Sequence, residues 1–113
     1  VLKGQGRDVV GLCVGGADGR DSILAELKAR AAAAGVDVRF PGSCADMPAA
    51  CSLADVVVCP STQPEPFGRT AVEAQAMGAP GLAADPGGAR ETVAPGVTGW
   101  LTPPGDATAL ASA

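Results

Sequence analysis

Two glutamates carry the chemistry that this sequence offers most openly. In PSTQPEPFGRTAVEAQAMGAP, Pro60 to Pro80, Glu65 and Glu73 have seven residues between them. Glu65 stands in a loop of Pro64, Pro66 and Gly68, and alone it reads as a solvated surface charge. Glu73 falls in a helical run where Ala71, Val72, Ala74, Ala76 and Met77 leave narrow polar gaps, at about 100° per residue. A carboxylate in so apolar a helix is expensive unless something pairs with it. Three answers stay open from the residues themselves. The positive end of the helix dipole favours it, Arg69 lies one turn earlier, or a ligand takes its hydrogen bonds.

Three glycine-bearing loops have compositions suited to holding an anion: VGGADG with Gly15 and Gly16, PSTQPEPFG, and DPGGA. Glycine lets a backbone approach a ligand closely, and amides at a helix start favour negative charge. Glycine is also common in any strand-to-helix turn, so VGGADG and DPGGA read by default as structural turns.

The elements that must position these loops follow from hydrophobic pattern. DVVGLCVGG, Asp8 to Gly16, is a short apolar run closing on glycines, as in a buried strand and tight turn. In DSILAELKARAAAAG, Ile23, Leu27 and Ala31 recur at helical spacing and Gly35 supplies a stop. Val36–Phe40 alternates like a strand, Asp46–Leu53 reads as a short helix, and ADVVVCP as a second buried strand. A helix from about Arg69 to Met77 ends at Gly78, and APGLAAD is a weaker strand, because alanine and glycine carry little β preference. PGGARE leads into one helical turn, TGWLT is a short strand, and a helix starts at Asp106. Val1 to Arg7 form no recognisable element. Strands alternating with helices across short links imply βαβ units and a parallel sheet covered by helices, an α/β, Rossmann-like class. Both ends read as cut, so the chain is expected to be part of a larger α/β protein.

Composition closes off other chemistries. There is no histidine, and Cys13, Cys44, Cys51 and Cys59 form no CxxC, which argues against zinc ligation and against Ser-His or Cys-His nucleophiles. Cys13 and Cys59, in strand-like runs, read as small buried hydrophobes and reduced thiols. Net charge is −4 with no basic block, so nucleic acid is not an expected partner. No apolar run is long enough to span a bilayer and none resembles a signal peptide.

At this point the wording resembles a known family. PSTQPEPFGRTAVEAQAMGAP is similar to the E-x7-E signature of the group 1 (family 4) retaining glycosyltransferases. The register continues on both sides, through VGG, VRFPGSCADMPAACSLADVVVCPS and GGARETVAPGVTGWLTPPGD, over roughly Asp8 to Ala113. The resemblance implies two Rossmann-like domains facing across a cleft, the GT-B arrangement. This chain, residues 1–113, resembles most of the donor-binding domain, truncated at both ends and without the acceptor-binding domain.

Carried over by position, the resemblance makes Glu65 the group beside the transferred sugar, bonding its hydroxyls and stabilising positive charge near the anomeric carbon. Glu73 becomes the acceptor for the donor's ribose hydroxyls. The amides of Phe67, Gly68 and Arg69 meet the sugar or diphosphate, and Val72 packs near the nucleotide. Gly15 and Gly16 close the first strand at the donor, while Ser43 and Cys44 lie in the stretch that lines the base pocket. The implied reaction moves a hexosyl-type group from a nucleotide diphosphate sugar to an acceptor hydroxyl with retention, with no cofactor and no metal. The family's diphosphate-binding arginine and lysine lie before this chain begins, and Lys3 is not assigned that role. Wording around SCADMPAACSLADVVVCPS is similar to bacterial members that build surface polysaccharide or lipopolysaccharide. That implies a glycan or lipid-linked acceptor, peripheral membrane contact and the cytoplasmic face. The alternatives are another GT-B enzyme, such as a glycogen or sucrose synthase or a nucleotide-sugar epimerase, and a non-catalytic binding module.

Overall fold

The apolar runs near residues 10 and 40 pair as a parallel sheet in the computed structural model, which describes residues 1–16, 19–85 and 87–113. The chain divides into two units, Val1–Ala45 and Asp46–Ala113. In the first, β1 (Val10–Val14) lies beside β2 (Asp37–Gly42), with Val10 opposite Asp37 and Leu12 opposite Arg39. Between them runs α1 (Asp21–Ala34), which stops at Gly35 in the left-handed region, φ 61°, as the sequence predicts. Lys28 on α1 reaches the Phe40 ring of β2, with Nζ 5.9 Å from the centroid.

Two expectations fail in this unit. Lys3–Gln5 form a 3-10 turn closed by Gly6, where no element was predicted. And β1 is not buried: no described residue of the unit is, and Cys13 is exposed along with Val10 and Leu12. The reason is geometric. A two-stranded sheet with one helix has too few neighbours to cover both faces of a strand.

The second unit is built around three parallel strands in the order β3-β4-β5. Helix α2 (Met47–Ser52) begins at Asp46, whose carboxylate accepts from the Ala49 amide at 3.0 Å. β3 (Val57–Cys59) follows, shorter than its apolar run. Then come α3 (Arg69–Ala76), β4 (Gly81–Ala84), the single turn α4 (Ala89–Thr92), β5 (Gly99–Thr102) and α5 (Ala107–Ser112). Asp106 caps α5 by accepting from the amides of Thr108 and Ala109 at 3.0 and 2.9 Å.

β4, the weakest strand by composition, is the central one and is buried at all four positions. Burial between two partner strands outweighs intrinsic preference here. Its small residues are what admit the helix: a side chain at Gly81 would meet the Ala71 methyl of α3 at 3.5 Å. One sheet face carries the core, in which Ala71, Ala83, Ala89 and Val93 pack with Cys59 and Leu101. On β5, Gly99 lies so close to its partner strand that a Cβ would come 1.9 Å from the Gly81 carbonyl oxygen. No helix among the described residues is long and apolar enough to cross a membrane.

Candidate functional site

Parallel strands deliver their following loops to one edge of a sheet, and that is where ligands bind in open α/β folds. β3 and β4 are adjacent, so the loop after β3, carrying Glu65, runs beside the loop after β4, carrying Gly87 and Gly88. The two are joined through their backbones. Glu65 and Gly87 form an isolated parallel bridge, and the Gly88 amide donates to the Glu65 carbonyl at 2.8 Å.

Only glycine fits this seam. Gly87 has φ 128°, and a Cβ there would lie 2.8 Å from the Glu65 oxygen. A Cβ on Gly88 would lie 2.5 Å from both the Phe67 Cα and the Pro66 oxygen. A further tie closes the β4 loop on itself, where Arg90 forks onto the Asp85 carboxylate, with Nη2 to Oδ2 at 2.6 Å. The Arg90 guanidinium holds the Asp85 carboxyl below the usual carboxylate range, so the pair is intact at neutral pH and opens only in acid.

Glu65 itself is half-buried, and the Ser61 hydroxyl donates to its Oε1. No cation pairs with it among the described residues. It lines a small pocket with Cys59, Ser61, Gln63, Gly68 and alanines of α3, β4 and α4. Burial first, then the nearby Glu65 charge, pushes the Cys59 thiol up to about 11. Cys59 is therefore expected to resist alkylation. Iodoacetamide at pH 8 should label exposed Cys13 and Cys44 in minutes, and half-buried Cys59 and buried Cys51 far more slowly, as read by mass spectrometry of the digested protein.

Gly68 precedes α3 in the left-handed region, φ 72°, with no side chain capping the first amides of the helix. Those amides, at Arg69 and just after, form a start suited to an anion. Phe67 is exposed and Val72 half-buried. Glu73 differs from its expectation. It is exposed rather than enclosed, its side chain retaining 48% accessibility, and Arg69 lies 3.5 Å away. The helix buries only Ala71 and Ala74, so its apolar face is narrower than its composition suggests, and Ala76 and Met77 face outward. Of the three answers open from the sequence, the Arg69 pairing is present, and the carboxylate remains accessible.

The other predicted residues belong to the first unit. The Gly15 amide donates to the Gly42 carbonyl at 2.9 Å, which draws the turn after β1 against the end of β2. Gly15, Gly16, Ser43 and Cys44 are all exposed there. Ala17 and Asp18 of VGGADG, and Pro86 of DPGGA, lie outside the described residues. Sequence reasoning missed Ser61 and the Asp85–Arg90 fork, and it read the DPGGA loop that carries Gly87 and Gly88 by default as a structural turn. Paired glycines and a serine at the strand end were visible signals, but each is ordinary in a turn.

Comparison with known proteins decides the family. The profile described as "Glycosyl transferases group 1" matches residues 2–113. The chain belongs to the group 1 glycosyl transferases. Among curated relatives of this family, the D-inositol 3-phosphate glycosyltransferase of Jonesia denitrificans is 44% identical over 95 residues, covering 80% of this chain and 22% of that protein. The phosphatidyl-myo-inositol mannosyltransferase of Mycobacterium leprae is 37% identical over 90 residues, covering 78% of this chain and 24% of its own length. The chain thus spans under a quarter of the curated relatives it matches. Among solved structures, Anabaena Alr3699/HepE in complex with UDP superimposes with a TM-score of 0.87 at 41% identity, over 92% of this chain and 29% of that one. The same protein has also been crystallised with UDP-glucose.

Proposed function

We propose that this chain is the donor-binding part of a retaining hexosyltransferase, which moves a sugar from a nucleotide diphosphate sugar to an acceptor hydroxyl. The observation that carries the reading is the placement of Glu65. Its backbone is clamped to Gly88, its carboxylate meets Ser61, and it lines a pocket with Gly68 at the start of α3. In this reading Glu65 bonds the sugar hydroxyls and offsets positive charge at the anomeric carbon. The free amides after Gly68 take up charge that develops on the leaving diphosphate. Glu73, exposed one helical turn beyond Arg69, accepts from the ribose hydroxyls, and Arg69 releases it when the donor arrives.

No metal enters the scheme, and transfer is expected to be indifferent to EDTA. The resemblance also assigns Ser43 and Cys44 to the base and Gly15 and Gly16 to the donor. The acceptor is a glycan or lipid-linked glycan in surface polysaccharide synthesis, reached at the cytoplasmic face of the membrane. The complexes of HepE with UDP and UDP-glucose support a uridine donor as the first to try.

Calorimetric titration with UDP, GDP and ADP tests the nucleotide site. One of the three is expected to bind, and Glu73→Ala to weaken it about tenfold or more, since hydrogen bonds to a charged group contribute about 1.5–3 kcal/mol. Equal affinity in wild type and Glu73→Ala would remove Glu73 from the site.

A further inference from the structure

A glutamate side chain has three rotatable bonds, and a carboxylate that must meet one point on a substrate cannot be left to sample them all. Several features of the protein restrict Glu65. Its main chain is fixed from one side by the Gly88 amide and the bridge to Gly87. Its side chain has one donor among the described residues, the Ser61 hydroxyl on Oε1, and no cation competes for it. Ser61 is itself well placed to act as a fixed point. It stands two residues after the end of β3, behind Pro60, and is half-buried in the same pocket wall.

We propose that Ser61 is a positioning residue for sugar transfer. Its hydroxyl occupies Oε1, sets the rotamer of Glu65 and leaves Oε2 as the open acceptor toward the sugar. This rests on Glu65 acting at the donor's sugar, as proposed above. A serine that served only to brace the loop would produce the same contact, so the two roles must be separated by what each variant loses. A charge-assisted hydrogen bond that orients a reacting carboxylate acts on the turnover step, while loop bracing acts on folding and on nucleotide binding alike.

The test uses the full-length protein and the nucleotide sugar selected by titration: UDP-glucose, GDP-mannose or ADP-glucose. Transfer to water is read as nucleotide released, which requires no knowledge of the acceptor. Ser61→Ala and Ser61→Val are expected to lower kcat about tenfold with nucleotide diphosphate affinity unchanged within twofold. Ser61→Thr, which matches valine in shape but keeps the hydroxyl, should stay within threefold of wild type. Glu65→Gln is assayed alongside. If Glu65→Gln is impaired while Ser61→Ala turns over like wild type, the positioning role is wrong and the donor-site reading survives. Equal losses in Ser61→Thr and Ser61→Val also overturn it, because the hydroxyl would not be what matters. If Glu65→Gln itself turns over like wild type, the reading of Glu65 fails and the role of Ser61 with it.

Discussion

Gly88→Ala is expected to cut sugar transfer about a hundredfold in a protein that still folds. The added methyl would sit 2.5 Å from the Phe67 Cα and the Pro66 oxygen and 2.7 Å from the Phe67 nitrogen. All three are backbone atoms, so no side-chain rotation relieves the clash. The two loops must separate, which breaks the 2.8 Å bond from the Gly88 amide to Glu65 and moves the carboxylate with its main chain. Displacement of a reacting group by about 1 Å can cost on the order of a hundredfold in rate. Overpacking of this kind also costs about 1–3 kcal/mol of stability, so the assay belongs at a temperature well below the variant's unfolding. Wild-type transfer by Gly88→Ala would show that the seam between the loops is not what places Glu65.

Gly99→Ala should have the largest effect on stability. Here the new methyl would lie 1.9 Å from the Gly81 carbonyl oxygen and 2.8 Å from its carbon, across the β4–β5 pair. Two glycines face each other at that register, and neither strand has a side chain to yield. The strands must part at a point where β4 is buried on both edges, and about 3 kcal/mol, the upper end of overpacking costs, is the expected loss. The single tryptophan, Trp100, is the adjacent residue, so urea unfolding followed by its fluorescence reads the change locally. The midpoint should fall by roughly 1 M or more, taking m-values of about 1–3 kcal/mol/M. Gly4→Ala, with open space around it and no unusual φ, is the control and should change stability by less than about 0.5 kcal/mol. A midpoint shared by Gly99→Ala and wild type would contradict the packing of β4 against β5.

These two glycines mark the boundary of what could be read from residues alone. The alternation of strands and helices, the stop at Gly35 and the start of α3 after Gly68 all follow from local chemistry, and they are where pattern and capping place them. Burial was less legible, because it depends on neighbours far along the chain. β1 has the composition of a core strand and is exposed, while β4 has a poor strand composition and is enclosed. The same limit applied to Glu73, whose apolar neighbours suggested an enclosed carboxylate until α3 proved to bury only two alanines. At the candidate site, the residues alone leave Glu65 a surface charge, and only the resemblance to the E-x7-E signature singles it out. The residues that hold it did not announce themselves. The Gly87–Gly88 seam exists only because two consecutive strand-to-helix loops emerge from adjacent strands, a fact of topology and not of spacing.

That seam also decides which positions are free to change. Glu65 is anchored through main-chain atoms of its own loop and the next, plus one hydroxyl, so the side chains of Gln63 and Phe67 take no part in holding it. Both are exposed, and Gln63 lines the pocket. Substitutions at these two side chains are expected to leave the clamp on Glu65 in place. Sequence can drift at both positions without disturbing the main-chain tie that fixes Glu65.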